Sequence, residues 1–191
     1  MSKHEVFEKE LAFIKNDSIK HFTIKTLEKL PDYFYKVAAS SSGKYHPPYA
    51  LGEGGLIRHT RAAVGIAVGL FEMNSMFTEE EKDIIISSLI LHDGLKHGIN
   101  FSKGTIAEHP LEMAKFIKDN DDLVSDLSIK IAQKIINCIS SHMGKWNTKW
   151  NSKIEILPKP EDKIERFVHM ADYLASRKYL QFDFDVKIER K

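Results

Sequence analysis

An all-α fold is what this sequence predicts. Three observations carry it. Apolar residues recur at three- and four-residue steps through most of the chain, helix-start signals fall at Thr78 and Pro110, and only two short segments alternate with period two. The elements follow in order. Val6 to Ile14 and Ile19 to Val37 carry the helical period and predict two amphipathic helices. From Ser40 to Gly55 the turn formers Ser, Gly and Pro accumulate, predicting a long loop that is either functional or disordered. Leu56 to about Met73 predicts the next helix. Thr78 with Glu81 three residues later forms a capping box, opening a helix that reaches about Leu95. Pro110 suits a first helical turn and launches Leu111 to Ile117. A helix from about Leu127 to His142 stops near Gly144, and a last one spans about Glu161 to Leu180. Ile154 to Ile156 and Phe182 to Ile188 alternate, and could pair as a small C-terminal β-ribbon.

No repeat, low-complexity tract or linker divides the 191 residues, which is one domain's length. Residues 1–50 supply N-terminal helices and a loop, and 54–177 the core of that domain. Lys plus Arg (28) almost balances Asp plus Glu (27), so no global field recruits nucleic acid, and any such binding needs a local patch. The N-terminus lacks the apolar run of a signal peptide, and no stretch approaches the ~18–20 apolar residues of a membrane span. With a single cysteine, Cys138, the expectation is a cytoplasmic protein with no membrane partner.

Nine histidines direct attention to clustering. His59 continues the stripe of Ala63, Ile66 and Leu70. Asp93, with His92 beside it, extends that of Ile86, Leu89 and Ile90. His142 ends the run through Ile131, Ile135 and Ile139, and Asp172 falls between Val168 and Ala175. Four helices thus place a His or Asp where the period asks for a core residue. Burying one unpartnered polar group costs several kcal/mol, and total stability is roughly 5–15 kcal/mol. A divalent cation is the simplest common partner. Nitrogen and oxygen donors without thiolate point to iron, manganese, cobalt, nickel or zinc.

Gly54-Gly55-Leu56-Ile57-Arg58-His59-Thr60, Leu89-Ile90-Leu91-His92-Asp93-Gly94-Leu95-Lys96 and His169-Met170-Ala171-Asp172-Tyr173-Leu174 together resemble the H…HD…D signature of the HD superfamily of metal-dependent phosphohydrolases. The likeness covers roughly Gly54 to Arg177. His109 and His142 stand where the two-metal branch of that family has two further histidines, a branch that includes diadenosine-tetraphosphate hydrolases and, more distantly, the HD-GYP phosphodiesterases. The GYP signature is absent, so cyclic-dinucleotide specificity is not carried over. The resemblance implies an HD-type helical bundle holding two divalent transition metals. His59, His92, Asp93 and Asp172 would hold one; Asp93 would bridge to a second, completed by His109 and His142. Two metals ~3.5–4 Å apart would clamp a phosphoryl group, and Asp93 and Lys96 would be the catalytic pair, with Lys96 neutralising a phosphate oxygen.

The expected function is hydrolysis of a phosphoester or phosphoanhydride in a phosphorylated small molecule, a nucleotide first. An exonuclease on single-stranded nucleic acid, a non-catalytic metal-bound binding module and a helical scaffold around a structural metal are the alternatives. Near-neutral charge disfavours the nuclease, and the lack of a cysteine cluster disfavours a structural site. Lys44, Tyr45 and His46 on the long loop, with Arg58 and Arg177 flanking ligand positions, are expected at the substrate. Trp146 and Trp150 could wall the pocket or stack a base, and His97 and His169 could orient ligands.

Overall fold

The structure is a computed structural model, and it describes residues 2–40, 43–73 and 75–179. Eight α-helices are present among these residues: α1 (Glu8–Leu11), α2 (Asp17–Lys29), α3 (Gly55–Met73), α4 (Glu79–Leu91), α5 (His109–Lys118), α6 (Asp121–Val124), α7 (Ile129–Ser141) and α8 (Lys163–Ala175). No strand occurs among them. The all-α reading is borne out. Of the expected ribbon, Phe182 to Ile188 lies outside the described residues, and Glu155 forms an isolated antiparallel bridge with Thr148.

α4 is the axis of the bundle, packing against α2, α3, α7 and α8, while α3 packs on α8 and α5 on α7. Every α4 residue from Asp83 to Leu91 is buried. The apolar stripe read from its sequence therefore understates it, because a helix enclosed on all sides needs no polar face. Two of its buried polar residues are satisfied inside. Asp83 accepts from the backbone N–H of Lys15 (3.1 Å) and Asn16 (2.8 Å), which fixes the turn into α2, and Ser87 shares a 2.8 Å hydrogen bond with Thr23. The Thr78/Glu81 capping box opens α4 as expected. One hydrophobic core runs from Phe7 through Ala175, so the N-terminal residues belong to the same core as the rest.

The helix boundaries differ from the periodic reading in ways that have local causes. Ile19 to Val37 is not one helix. Pro31 forces Leu30 into an extended conformation (φ −62°, ψ 148°), ending α2, and a 3-10 turn follows at Asp32–Tyr35. Val6 to Ile14 splits likewise into a 3-10 turn at Lys3–Phe7 and the short α1. α4 stops at Leu91 rather than Leu95, its ladder giving way to three-residue turns such as Gly94 N–H to Leu91 O and Lys96 N–H to Asp93 O. α7 and α8 begin where Ser128 and Asp162 cap them, slightly later than the periodicity suggests.

The long loop is tied down. Ala39 N–H donates to Ala50 O, Gly54 N–H to Lys36 O and Leu56 N–H to Val37 O, and a 3-10 turn forms at Pro48–Ala50. Tyr49 Oη donates to Ala175 O at 2.8 Å, fastening the loop to the end of α8. Gly55 is required here, since a Cβ on it would stand 2.4 Å from the Ala50 carbonyl oxygen and 3.2 Å from Ala38 Cα. Gly55→Ala should therefore cost ~1–3 kcal/mol, as overpacked sites do. The measurement is the denaturant midpoint at constant m; an unchanged midpoint would mean the loop does not dock as described.

Candidate metal centre

Each candidate ligand is delivered by an element's end or by an inward helix face. His59 projects from α3 and Asp172 from α8. His92 and His142 are the C-cap residues of α4 and α7, and His109 opens α5. The last turn of a helix leaves carbonyls without an intrahelical partner. His92 uses that opportunity, donating from Nδ1 to Leu89 O at 2.7 Å, and His142 does the same to Ile139 O at 2.7 Å. His109, just before Pro110, donates from Nδ1 to Ile106 O at 2.7 Å. A carbonyl can only accept, so all three imidazoles carry a proton on Nδ1 and direct Nε2 inward.

These nitrogens converge on two carboxylates. Asp172 Oδ1 is 2.9 Å from His59 Nε2 and 3.5 Å from His92 Nε2. Asp93 Oδ2 is 3.5 Å from His92 Nε2, while Asp93 Oδ1 is 3.0 Å from His109 Nε2 and 3.8 Å from His142 Nε2. The two oxygens of Asp93 thus face different imidazoles. Lys96 closes the group with Nζ 2.5 Å from Asp93 Oδ2. All six side chains expected as ligands are brought together, and two overlapping sets, His59/His92/Asp172 and His92/Asp93/His142, have the spacing that could hold a metal ion.

The electrostatics fit a cation. Burial opposes charge on His92, but Asp93 and Asp172 outweigh it and push its pKa up to about 10. Burial, with the neighbouring His92 and His109, pushes His142 down to about 3. Asp93 and Asp172 resist burial and stay well below the usual carboxylate range, Asp93 through Lys96 and His92, Asp172 through His59 and His92. The carboxylates thus demand positive charge where His92 stands. Polar atoms are also left over: His59 Nδ1, His92 Nε2 and Asp93 Oδ1 are buried without a hydrogen-bond partner. His109 and His142 bring their Nε2 atoms within 3.3 Å of each other. Two inward lone pairs at that distance repel unless a proton or a cation lies between them. An ion in these sets would neutralise the two carboxylates and take the lone pairs of His92 Nε2 and His142 Nε2, so the residues present fit such an ion.

The remaining expected residues fall in different places. His46 lies beside the cluster, its ring 5.5 Å from that of His59. Arg177 packs over Tyr173 (4.3 Å), Tyr45 (5.6 Å) and Trp146 (5.8 Å), and Lys44 lies over Tyr45 (5.0 Å). Arg58 turns to the loop instead, donating to the carbonyls of Tyr49, Leu51 and Glu53, so its visible work is to hold that loop together. His97 supports its own turn, bonding Ser102 O and stacking on Phe101. His169 donates from Nδ1 to His142 O at 2.7 Å and packs against Gly144, where a Cβ would come within 2.3 Å of its ring. It therefore anchors the backbone that carries His142. Trp150 is largely exposed. Sequence reasoning missed the three anchoring carbonyls, although each comes from an apolar residue three positions before its histidine.

Comparison of the chain with protein-family models, with curated proteins and with solved structures gave no match. The helical fold and the His/Asp cluster are compatible with an HD domain.

Two outcomes follow. A divalent transition metal at about 100 times its Kd should stabilise the protein by ~2.7 kcal/mol, or about 5–10 °C in Tm for a chain of this size. His92→Ala should abolish the shift; an undiminished shift in that variant would place the ion elsewhere. The second concerns acid. Burial, then His59 and Lys96, lower the His46 pKa to about 4, against ~6.5 for an unperturbed histidine. Between these values the unfolded chain binds a proton that the folded chain does not, so stability falls as pH drops from ~6.5 to ~4. His46→Gln should flatten that slope in metal-free protein, read from denaturation midpoints at pH 7 and pH 5.

Proposed function

We propose that this protein is a metal-dependent phosphohydrolase of the HD type, cleaving a phosphoester or phosphoanhydride. The observation that carries the reading is the buried convergence of three Nδ1-anchored imidazoles and His59 on two carboxylates. In this reading His59, His92, Asp93 and Asp172 hold one divalent ion, and Asp93, His109 and His142 a second. Asp93 suits a bridging place because its two oxygens face different histidines, whereas an imidazole has one nitrogen to offer. Such ions supply Lewis-acid polarisation of a phosphoryl oxygen and acidify water toward neutrality. The chain supplies the rest. Lys96, buried and paired with Asp93, is the cation at hand for charge developing on phosphate. His169 and the three backbone carbonyls keep the ligand nitrogens aimed.

The alternatives fare less well. A single-strand exonuclease needs a basic groove, and the near balance of 28 basic and 27 acidic residues gives no general support for one. A closed structural site would not call for a buried lysine against its carboxylate.

The deciding experiment is metal analysis of the purified protein, then a phosphate-release screen over nucleotides and short oligonucleotides with manganese or iron. Two equivalents of metal per chain are expected. Asp93→Ala should lose metal and activity together. Lys96→Ala should keep the metal while turnover falls ~10²–10³-fold, the usual loss for one charge-stabilising donor. Protein that saturates at one equivalent would reduce the centre to a mononuclear one, and parent-like turnover in Lys96→Ala would remove that residue from catalysis.

A further inference from the structure

Of the six clustered ligand candidates, five side chains are at most 2 % exposed, and Asp172 alone is open, at 17 %. The cluster is therefore reached from the side of α8 and the long loop. On that side the next residues form a second, differently composed surface. Tyr173, directly after Asp172, stacks on Trp146 with centroids 5.2 Å apart and planes 18° apart. Arg177 lies over Tyr173 and within 5.8 Å of the centres of the Trp146 and Tyr45 rings. Lys145 sits over Trp146 at 4.7 Å. Tyr45 and Trp146 remain exposed, at 55 % and 43 %. Among the described residues no carboxylate pairs with Lys145 or Arg177, and the bonds of Arg177 go to Ser176 Oγ. Two cations without carboxylate partners, set on exposed aromatic faces beside a phosphate-competent centre, ask for a ligand that is both planar and anionic.

We propose that Tyr45, Trp146, Tyr173, Lys145 and Arg177 form the subsite for a nucleoside phosphate, the rings stacking its base and the two cations facing negative charge that the metal centre does not neutralise. The assignment rests on the phosphohydrolase reading for the place of the scissile phosphate, but the binding it describes does not require turnover. A single nucleotide, rather than a strand, is the occupant. The Trp146–Tyr173 pair offers a platform for one base, and the chain's near-neutral charge gives no track for a polyanion.

The test is calorimetric titration of the full chain with two ligands that share their phosphonate groups and differ in the base: adenosine 5′-(α,β-methylene)diphosphate and methylenediphosphonate. The nucleotide should bind at least tenfold more tightly, as one stacked base allows. Trp146→Leu should erase that preference and leave methylenediphosphonate binding unchanged, while Trp146→Phe should restore most of it. Arg177→Met should weaken both ligands. Equal affinity of the two for the parent protein, or a preference untouched by Trp146→Leu, overturns the proposal. So does a ten-nucleotide single strand that binds more than tenfold tighter than the nucleotide. The two readings fail separately. Trp146-dependent nucleotide binding without phosphate release under any metal keeps the subsite and removes the hydrolase. Phosphate release that ignores the base and Trp146 does the reverse.

Discussion

The geometry of the candidate metal centre depends on one recurring hydrogen bond, from the Nδ1 of a histidine to the carbonyl three residues before it. It occurs at His92, His109 and His142. Each bond fixes a tautomer, a ring orientation and the direction of Nε2 at once. It is available because His92 and His142 stand where a helix has run out of its own donors, and His109 where one has not yet begun. Helix length thus becomes a functional variable. Were α4 to continue to Leu95, the backbone N–H of Asp93 would compete with the His92 ring for Leu89 O.

Burial turns this geometry into an electrostatic requirement. α4 is enclosed from Asp83 to Leu91, so the charges at its end are shielded from solvent. Two carboxylates there are tolerated only with compensating positive charge. Lys96 provides part of it at Asp93, and the upward pull on His92 shows that more is wanted. Histidines of one cluster are pushed in opposite directions: burial lowers both, the carboxylates Asp93 and Asp172 outweigh it at His92, and His92 and His109 add to it at His142. A divalent ion would relieve both, by supplying charge beside the first and accepting the lone pair of the second.

Much of this could be read from the chain. The period of three to four residues identified the helices, and the Thr78 capping box located the start of α4. The positions of His59, Asp93, His142 and Asp172 on apolar stripes led to their meeting, because a polar residue in core phase has to find a partner inside. His109 was not legible by phase and came from the resemblance alone; its position ahead of Pro110 gives it the Ile106 carbonyl instead of a stripe. The helix read across Pro31 failed because periodicity was allowed to override the backbone restriction that proline places on Leu30. Arg58 shows a different limit. A charge next to a ligand in sequence lies about 100° away around a helix, and here that direction meets loop carbonyls.

The loop from Gly43 to Gly54 is where positioning and access join. Arg58 gathers its carbonyls, Tyr49 pins it to the end of α8, and Tyr45 meets Arg177. These contacts end on α3, on the last residue of α8 or just beyond it, and those two helices carry His59 and Asp172. The loop is therefore referenced to the same frame as Asp172, the one open ligand candidate, and His59, which pairs with it. A rigid scaffold holding an exposed loop in register with a buried site is the arrangement by which a deep, charge-dominated centre acquires selectivity for what lies outside it. If the site takes a phosphorylated ligand as proposed, the inner residues set only its charge and reach. On the proposed reading, discrimination by shape falls to the aromatic side chains at the rim, which come from the loop, from the turn after α7 and from α8.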